Sequence, residues 1–234
     1  MEGKMEMTDH TVKAYDKDLE SLDHKISEMG GIAEKLLADA LEALTTFNVE
    51  LARAVMAGDS RLDALQRSVE EEAILTIARR QPMAVDLRDI VAAIRISGEL
   101  ERVGDLAKNI SKRTIKIASA PRLPRTMVGL RHMGELAGAQ LKEVLDAYAQ
   151  RDADKALNVW KRDADLDALE DSVFRDLLTF MLEDTRNISF CTHLLFCSKN
   201  IERAGDHSTN IAETVYYKVT GTTLPTDRPK GPSV

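Results

Sequence analysis

Aromatic residues fill only 4% of the 234 positions, and sheets draw on aromatic and β-branched side chains more than helices do. Two cysteines, Cys191 and Cys197, are too few for a disulfide framework and point to a reducing, cytoplasmic setting. No apolar run approaches the roughly 18 residues of a membrane span. The opening MEGKMEMTDH has no apolar signal core. A basic excess is missing too: 32 Lys+Arg against 39 Asp+Glu gives a formal charge of −7, which argues against a general nucleic-acid binder. No glycine-rich Walker loop appears, so nucleotide hydrolysis is not expected. What remains is a charged mixture rich in helix-forming residues, long enough for one or two domains.

Proline is sparse and divides the chain. All six lie at Pro82, Pro121, Pro124, Pro225, Pro229 and Pro232, leaving long uninterrupted stretches. With Gly58 as a further break, the pattern predicts helices at 10–57, 59–80, 83–119, 123–151, 154–183 and 187–220. Ile32, Leu36, Leu37, Ala40, Leu41 and Leu44 recur at three- and four-residue steps and make one buried stripe. The tail 221–234, rich in Pro, Gly and Thr, reads as disordered.

An internal repeat is the most informative feature. ERVGDLAKNI at 101–110 matches ERAGDHSTNI at 202–211 in six of ten positions, with an offset of 101. DSRLDALQRSV at 59–69 matches DADLDALEDSV at 163–173 in seven of eleven, with an offset of 104. Two ordered matches at nearly one offset imply a duplicated unit. The expected fold is all-α: two tandem up-down-up three-helix bundles, at 10–120 and 121–220, with a junction near Pro121–Pro124.

The repeat carries acids at helical spacing. Glu101 and Asp105, and Glu202 and Asp206, stand one turn apart on one helix face. Asp59 with Asp63, and Asp163 with Asp167, do the same on the preceding helix. Folding each helix pair about its turn, at Pro82 or at 183–186, brings both acid pairs of a unit to one height. Gathered carboxylates repel, and a hard divalent or trivalent cation such as iron, manganese or magnesium relieves the conflict. Gly104 and Gly205, each costing roughly 1 kcal/mol against alanine in a helix, would leave space for a metal, its waters or a neighbouring backbone. Asn109 and Asn210 could add amide oxygens, and Arg102 and Arg203 could balance charge. Asp59 and Asp163 have a structural alternative as N-caps after helix–helix turns.

Three competing readings follow from the same residues. A helical scaffold with merely solvated acids needs no metal. A di-iron carboxylate enzyme needs Glu-x-x-His, and none of His10, His24, His132, His193 or His207 is preceded by Glu at that spacing. Cys191, His193, Cys197 and His207 lack zinc-finger spacing and read as packed cysteines and satisfied histidines, with His207 kept as a possible group behind the metal ligands. The basic stretch Lys108, Lys112, Arg113 and Lys116 reads as an exposed face or a patch for a partner or anionic membrane.

Arg79-Arg-Gln-Pro-Met-Ala-Val-Asp-Leu-Arg88, with the two Glu-Arg-x-Gly-Asp motifs ending at Asp105 and Asp206, resembles the PhoU family of phosphate-signalling proteins. Met29-Gly-Gly31, Met181-Leu-Glu-Asp-Thr-Arg186 and Leu195-Phe-Cys-Ser-Lys-Asn-Ile-Glu202 extend the likeness over about residues 10–221. The resemblance implies tandem three-helix bundles with metal at paired acidic motifs, here Glu101, Asp105, Glu202 and Asp206, extended to Asp59, Asp63, Asp163 and Asp167. It further implies a non-enzymatic, cytoplasmic negative regulator, expected to be a homodimer. Its implied partners are the ATPase subunit of the phosphate ABC transporter and the phosphate-regulon sensor histidine kinase. It would reach the membrane only through these partners.

Overall fold

The computed structural model describes residues 2–120 and 124–225, with side chains at 15–120 and 127–225. Seven α-helices and one 3₁₀ turn make up the described residues, with no strand among them. In the first half, α1 (Glu2–Thr46), α2 (Val49–Arg80) and α3 (Ala84–Ile117) run up, down and up. In the second, α4 (Pro124–Gln150) is followed by a broken middle rod, α5 (Ala153–Lys161) and α6 (Asp163–Glu183). The 3₁₀ turn Thr185–Asn187 then leads into α7 (Ile188–Thr220). Each half is therefore the expected three-rod bundle. Expectations for 121–123 and 226–234 lie outside the described residues.

The first helix break is not at Gly58. Phe47 adopts a left-handed φ of 59°, and Asn48 starts α2 by accepting the Leu51 N–H on its side-chain oxygen at 3.0 Å. Asn at an N-cap satisfies a helix donor that would otherwise be orphaned. Gly58 lies inside α2, where a Cβ would come within 2.9 Å of Leu36 Cδ2. Tertiary packing of α1 on α2 thus outweighs the helix penalty of glycine. Asp59, well inside α2, is not an N-cap; Asp163 opens α6 in its first turn, with Arg162 in the cap position. The break at Arg162, which the predicted helix 154–183 ran through, has no proline or glycine to announce it.

Apolar stripes from all the long helices merge into one core. Ile26, Met29, Leu37 and Leu44 of α1 meet Leu62 and Val69 of α2 and Ile90, Ile96, Leu100 and Ile110 of α3. The same cluster continues through Leu130 and Leu141 of α4, Leu166 of α6 and Leu194, Ile201 and Ile211 of α7. The halves join where α3 crosses α7 antiparallel: Glu99 meets His207, and Arg113 meets His193. At 34 residues α3 is about 50 Å long, so the protein is a rod with the acidic motifs near its middle.

Candidate metal centres

In the first half, α2 and α3 bring all four expected acids into one electrostatic neighbourhood. Burial pushes the Glu101 carboxyl above its ordinary value, and Asp105, Asp63 and Asp59 push it further in the same direction. Asp59 is buried, at 2% exposure, and Lys108 Nζ donates to its carboxylate in a close ion pair. Lys108 also lies 3.8 Å from Asp105 Oδ1, while Arg102 stands 3.6 Å from Glu101 and 3.9 Å from Asp105. The first cluster therefore carries its own counter-cations. Arg102 plays the balancing role expected of it; Lys108 has left the supposed basic face to serve the acids.

The second half repeats the arrangement with different partners. Burial pushes Glu202 above its ordinary value; a hydrogen bond from Lys199 at 2.7 Å opposes the shift, and Asp206 and Asp167 reinforce it. Glu202 Oε2 is buried with no hydrogen-bond partner. Asp163 is buried too and accepts from Thr209 Oγ1 at 2.9 Å, a hydroxyl where the first half uses an ammonium group. Lys199 and Lys108 were legible in principle: each stands three residues from an acid of its own helix, the spacing of helical ion pairs.

The glycines inside the motifs do not leave an open space. A Cβ at Gly104 would sit 2.6 Å from Leu62 Cδ1 and 3.3 Å from Asp59 Oδ1. At Gly205 it would collide with Leu166 Cδ2 and lie 3.0 Å from Gln140 Oε1. Each glycine seats the leucine of the neighbouring rod, which holds the acid-bearing helices at close range. The space that the glycines free, expected for a metal, its waters or a neighbouring backbone, is taken beside the Cα atoms by the side chains of Leu62 and Leu166.

Two further polar residues tie this region to the other half. His207 Nδ1 lies 2.6 Å from Glu99 Oε2, and Asn210 Nδ2 donates to the same oxygen at 3.0 Å. The Asn210 amide nitrogen is thus directed at α3. Glu99 has no acidic counterpart in the repeat, where Asn200 stands 101 residues on. Cys191 and Cys197 are buried; burial raises both thiols, Cys197 to about 12.

Among the described residues, no three His, Cys, Asp or Glu side chains are drawn together tightly enough to grasp a metal as they stand. The donor chemistry nevertheless suits a hard cation. It is all carboxylate oxygen, two of its members are held above their ordinary pKa by burial and like charge, and Glu202 keeps one oxygen unpartnered.

A family model described as the PhoU domain matches residues 26–114 and again 130–215, one copy per bundle. The chain belongs to the PhoU family. It is 54% identical over 222 residues to a phosphate-specific transport system accessory protein PhoU homolog of Rhizobium meliloti, covering 94% of this chain and 93% of the relative. A PhoU homolog of Caulobacter vibrioides with the same description is 49% identical, covering 96% and 97%. The crystal structure of PhoU from Pseudomonas aeruginosa superposes with a TM-score of 0.87 at 38% identity, covering 89% of this chain and 100% of that one. A phosphate transport system regulatory protein PhoU from Streptococcus pneumoniae shares the fold, with a TM-score of 0.83 at 24% identity over 90% of this chain and 99% of that one. Among the described residues no helix is long and apolar enough to cross a membrane.

Proposed function

We propose that this chain is a regulator of phosphate transport and phosphate signalling. The observation that carries the reading is its near-full-length similarity, at 54% identity, to a phosphate-specific transport system accessory protein. It acts in the cytoplasm as a homodimeric adaptor without a catalytic step, docking the ATPase subunit of the phosphate ABC transporter and the sensor histidine kinase and lowering their output when phosphate is plentiful. Apolar side chains left exposed near both ends of the rod, Met83 after α2 and Leu182 near the end of α6, support such docking.

The acid clusters supply the second element of the proposal. Glu101 and Asp105 with Asp59 and Asp63 would hold a hard cation in the first half. Glu202 and Asp206 with Asp163 and Asp167 would do so in the second. A bound cation would neutralise repelling carboxylates and offer open positions to phosphate oxygens. Lys108 and Lys199 hold these acids in its absence and would have to yield, while Gly104 and Gly205 keep the acid-bearing helices at close range.

The test is a deletion strain carrying a phosphate-regulon reporter in phosphate-rich medium. Wild-type protein restores repression, and a variant with Glu101, Asp105, Glu202 and Asp206 changed to Ala does not. Repression that survives deletion of the whole protein would overturn the regulatory role. Full repression by the alanine variant would remove the metal from it.

A further inference from the structure

The duplicated scaffold builds two equivalent faces where α3 and α7 cross, and only one is chemically unusual. Near the C-terminal end of α3, Arg113 stacks on the Phe196 ring, its guanidinium carbon 4.0 Å from the centroid, while Phe196 remains 51% exposed. Arg113 also reaches His193 Nδ1 at 3.4 Å. Burial, Arg113 and Lys116 together hold the His193 imidazole below its ordinary value, so the positive field there is felt by a neighbouring group. Lys112 and Lys116 are exposed on the same helix. The chain is acidic, at −7, and many of its cations sit beside carboxylates. No ion pair to Lys112, Arg113 or Lys116 occurs among the described residues.

The repeat supplies its own control. Adding or subtracting 101 maps Lys112, Arg113 and Lys116 onto Glu213, Thr214 and Tyr217, and His193 and Phe196 onto Ala92 and Arg95. At that second place Glu213 accepts from Trp160 Nε1 at 3.1 Å and Thr214 bonds back to the Asn210 carbonyl. The fold alone does not demand an arginine stacked on an exposed aromatic ring with two exposed lysines beside it on the same helix.

We infer that the α3–α7 face around Arg113 and Phe196 is a docking surface for an acidic peptide segment of a partner protein. Carboxylates of the segment meet Arg113, Lys112 and Lys116, and an apolar side chain between them packs on the exposed edge of Phe196. Charge complementarity carries this choice of occupant. A single ring offers too little apolar area to anchor an acidic protein on a membrane of like charge. A small free anion has no enclosing pocket here, whereas a peptide lies along two crossing helices. The inference deepens the docking reading above and rests on it for biological meaning, although the surface can be tested without either named partner.

The experiment uses the full chain and a fluorescein-labelled peptide of alternating Glu and Leu, with a Gln/Leu peptide as control, read by fluorescence anisotropy. Wild-type protein binds the acidic peptide at least about tenfold more tightly than the control, and the preference fades as salt rises toward 1 M. Arg113→Gln with Lys116→Gln weakens binding about tenfold, about 1.4 kcal/mol. Lys112→Glu, at an exposed site outside the ring stack, weakens it without touching the packing. Arg95→Gln, at the equivalent place in the repeat, changes nothing. Equal binding of the two peptides, unchanged affinity in both patch variants, or a preference for phosphatidylserine vesicles over the peptide would each overturn the inference. A wild-type protein that captures the peptide but neither the ATPase subunit nor the kinase would sustain the surface and sink the docking reading alone.

Discussion

The two halves differ most at positions where their repeat is otherwise exact. Phe47 and Arg151 stand 104 residues apart, both with left-handed backbones at φ 59° and 53°, and each precedes an N-cap, Asn48 or Asp152. Phe47 stacks on Phe190 with ring centroids 6.2 Å apart, an apolar clasp at one end of the rod. Arg151 instead pairs with Asp89, and Asp89 and Phe190 are themselves 101 residues apart. The same corner is closed once by aromatic contact and once by charge. The buried acids follow suit: Asp59 is met by Lys108, Asp163 by Thr209. Leu36 on α1 becomes Gln140 on α4, whose side-chain carbonyl oxygen is buried without a partner. Backbone turns and seated leucines are what the duplication preserves, while the partner of each charge is free to change. In the first cluster Lys108 bridges the two helices to reach its buried acid, whereas in the second Lys199 pairs with Glu202 of its own helix.

The largest effect should come from filling the glycine seats. Gly205→Val, which forces a branched side chain into Leu166 and the Gln140 carbonyl oxygen, should destabilise by about 3 kcal/mol. Gly104→Val meets Leu62 and only the edge of Asp59 and should cost about 2 kcal/mol. Urea melts in chelator measure both, and equal losses would erase the asymmetry between the halves.

Removing each buried acid sharpens the contrast further. Asp59→Ala strands a part-buried ammonium group, and a loss of about 2 kcal/mol is expected. Asp163→Ala strands a hydroxyl, and about 1 kcal/mol is expected. The same melts check this ordering; a reversed order would show that Lys108 contributes little to the first cluster. Replacing the cations themselves bears on metal: Lys108→Met should tighten Mn²⁺ binding in the first half about tenfold, by titration calorimetry, because Asp59 is then left buried without a counterion.

A smaller shift is expected at Glu101, whose carboxyl is raised by burial and then by Asp105. A carboxyl raised in the folded state leaves stability intact at low pH and lowers it as pH climbs through the folded value. Glu101→Gln should therefore stabilise metal-free protein by about 0.5 kcal/mol at pH 7, raising Tm by about 1–2 °C. The gain should vanish near pH 3, where both forms are neutral. A gain that persists there would assign the effect to packing.

Much of this fold could be read from the chain because its signals are local. The predicted helix at 187–220 is α7 almost to the residue, and the repeat of Leu62 with Leu166 and Gly104 with Gly205 marks equivalent packing points. The missed break at Phe47–Asn48 had a local signal too, an asparagine cap followed by Glu50, but Gly58 outranked it. Leu36 packs where the Cβ of Gly58 would stand, and that contact helps carry α2 through the glycine. The acids were legible by spacing and their common height by the turns. Arg102 carries its balancing role in its spacing, but Lys108 and Lys199 do not, since a lysine three residues from an acid looks the same whether it faces solvent or folds inward. The Glu99 bridge to His207 and Asn210 spans 108 and 111 residues and has no echo in the repeat, so only the tertiary structure reveals it.

The two acid clusters are proposed to hold cations through equivalent acid pairs. Elemental analysis of protein purified without chelator, compared with the Glu101→Ala/Asp105→Ala and Glu202→Ala/Asp206→Ala variants, tests it most directly. Each pair of substitutions should remove part of the bound metal, and all four together should remove nearly all of it. Metal content unchanged in the fourfold variant, or absent from the wild-type protein, would rule out cation binding at these acids.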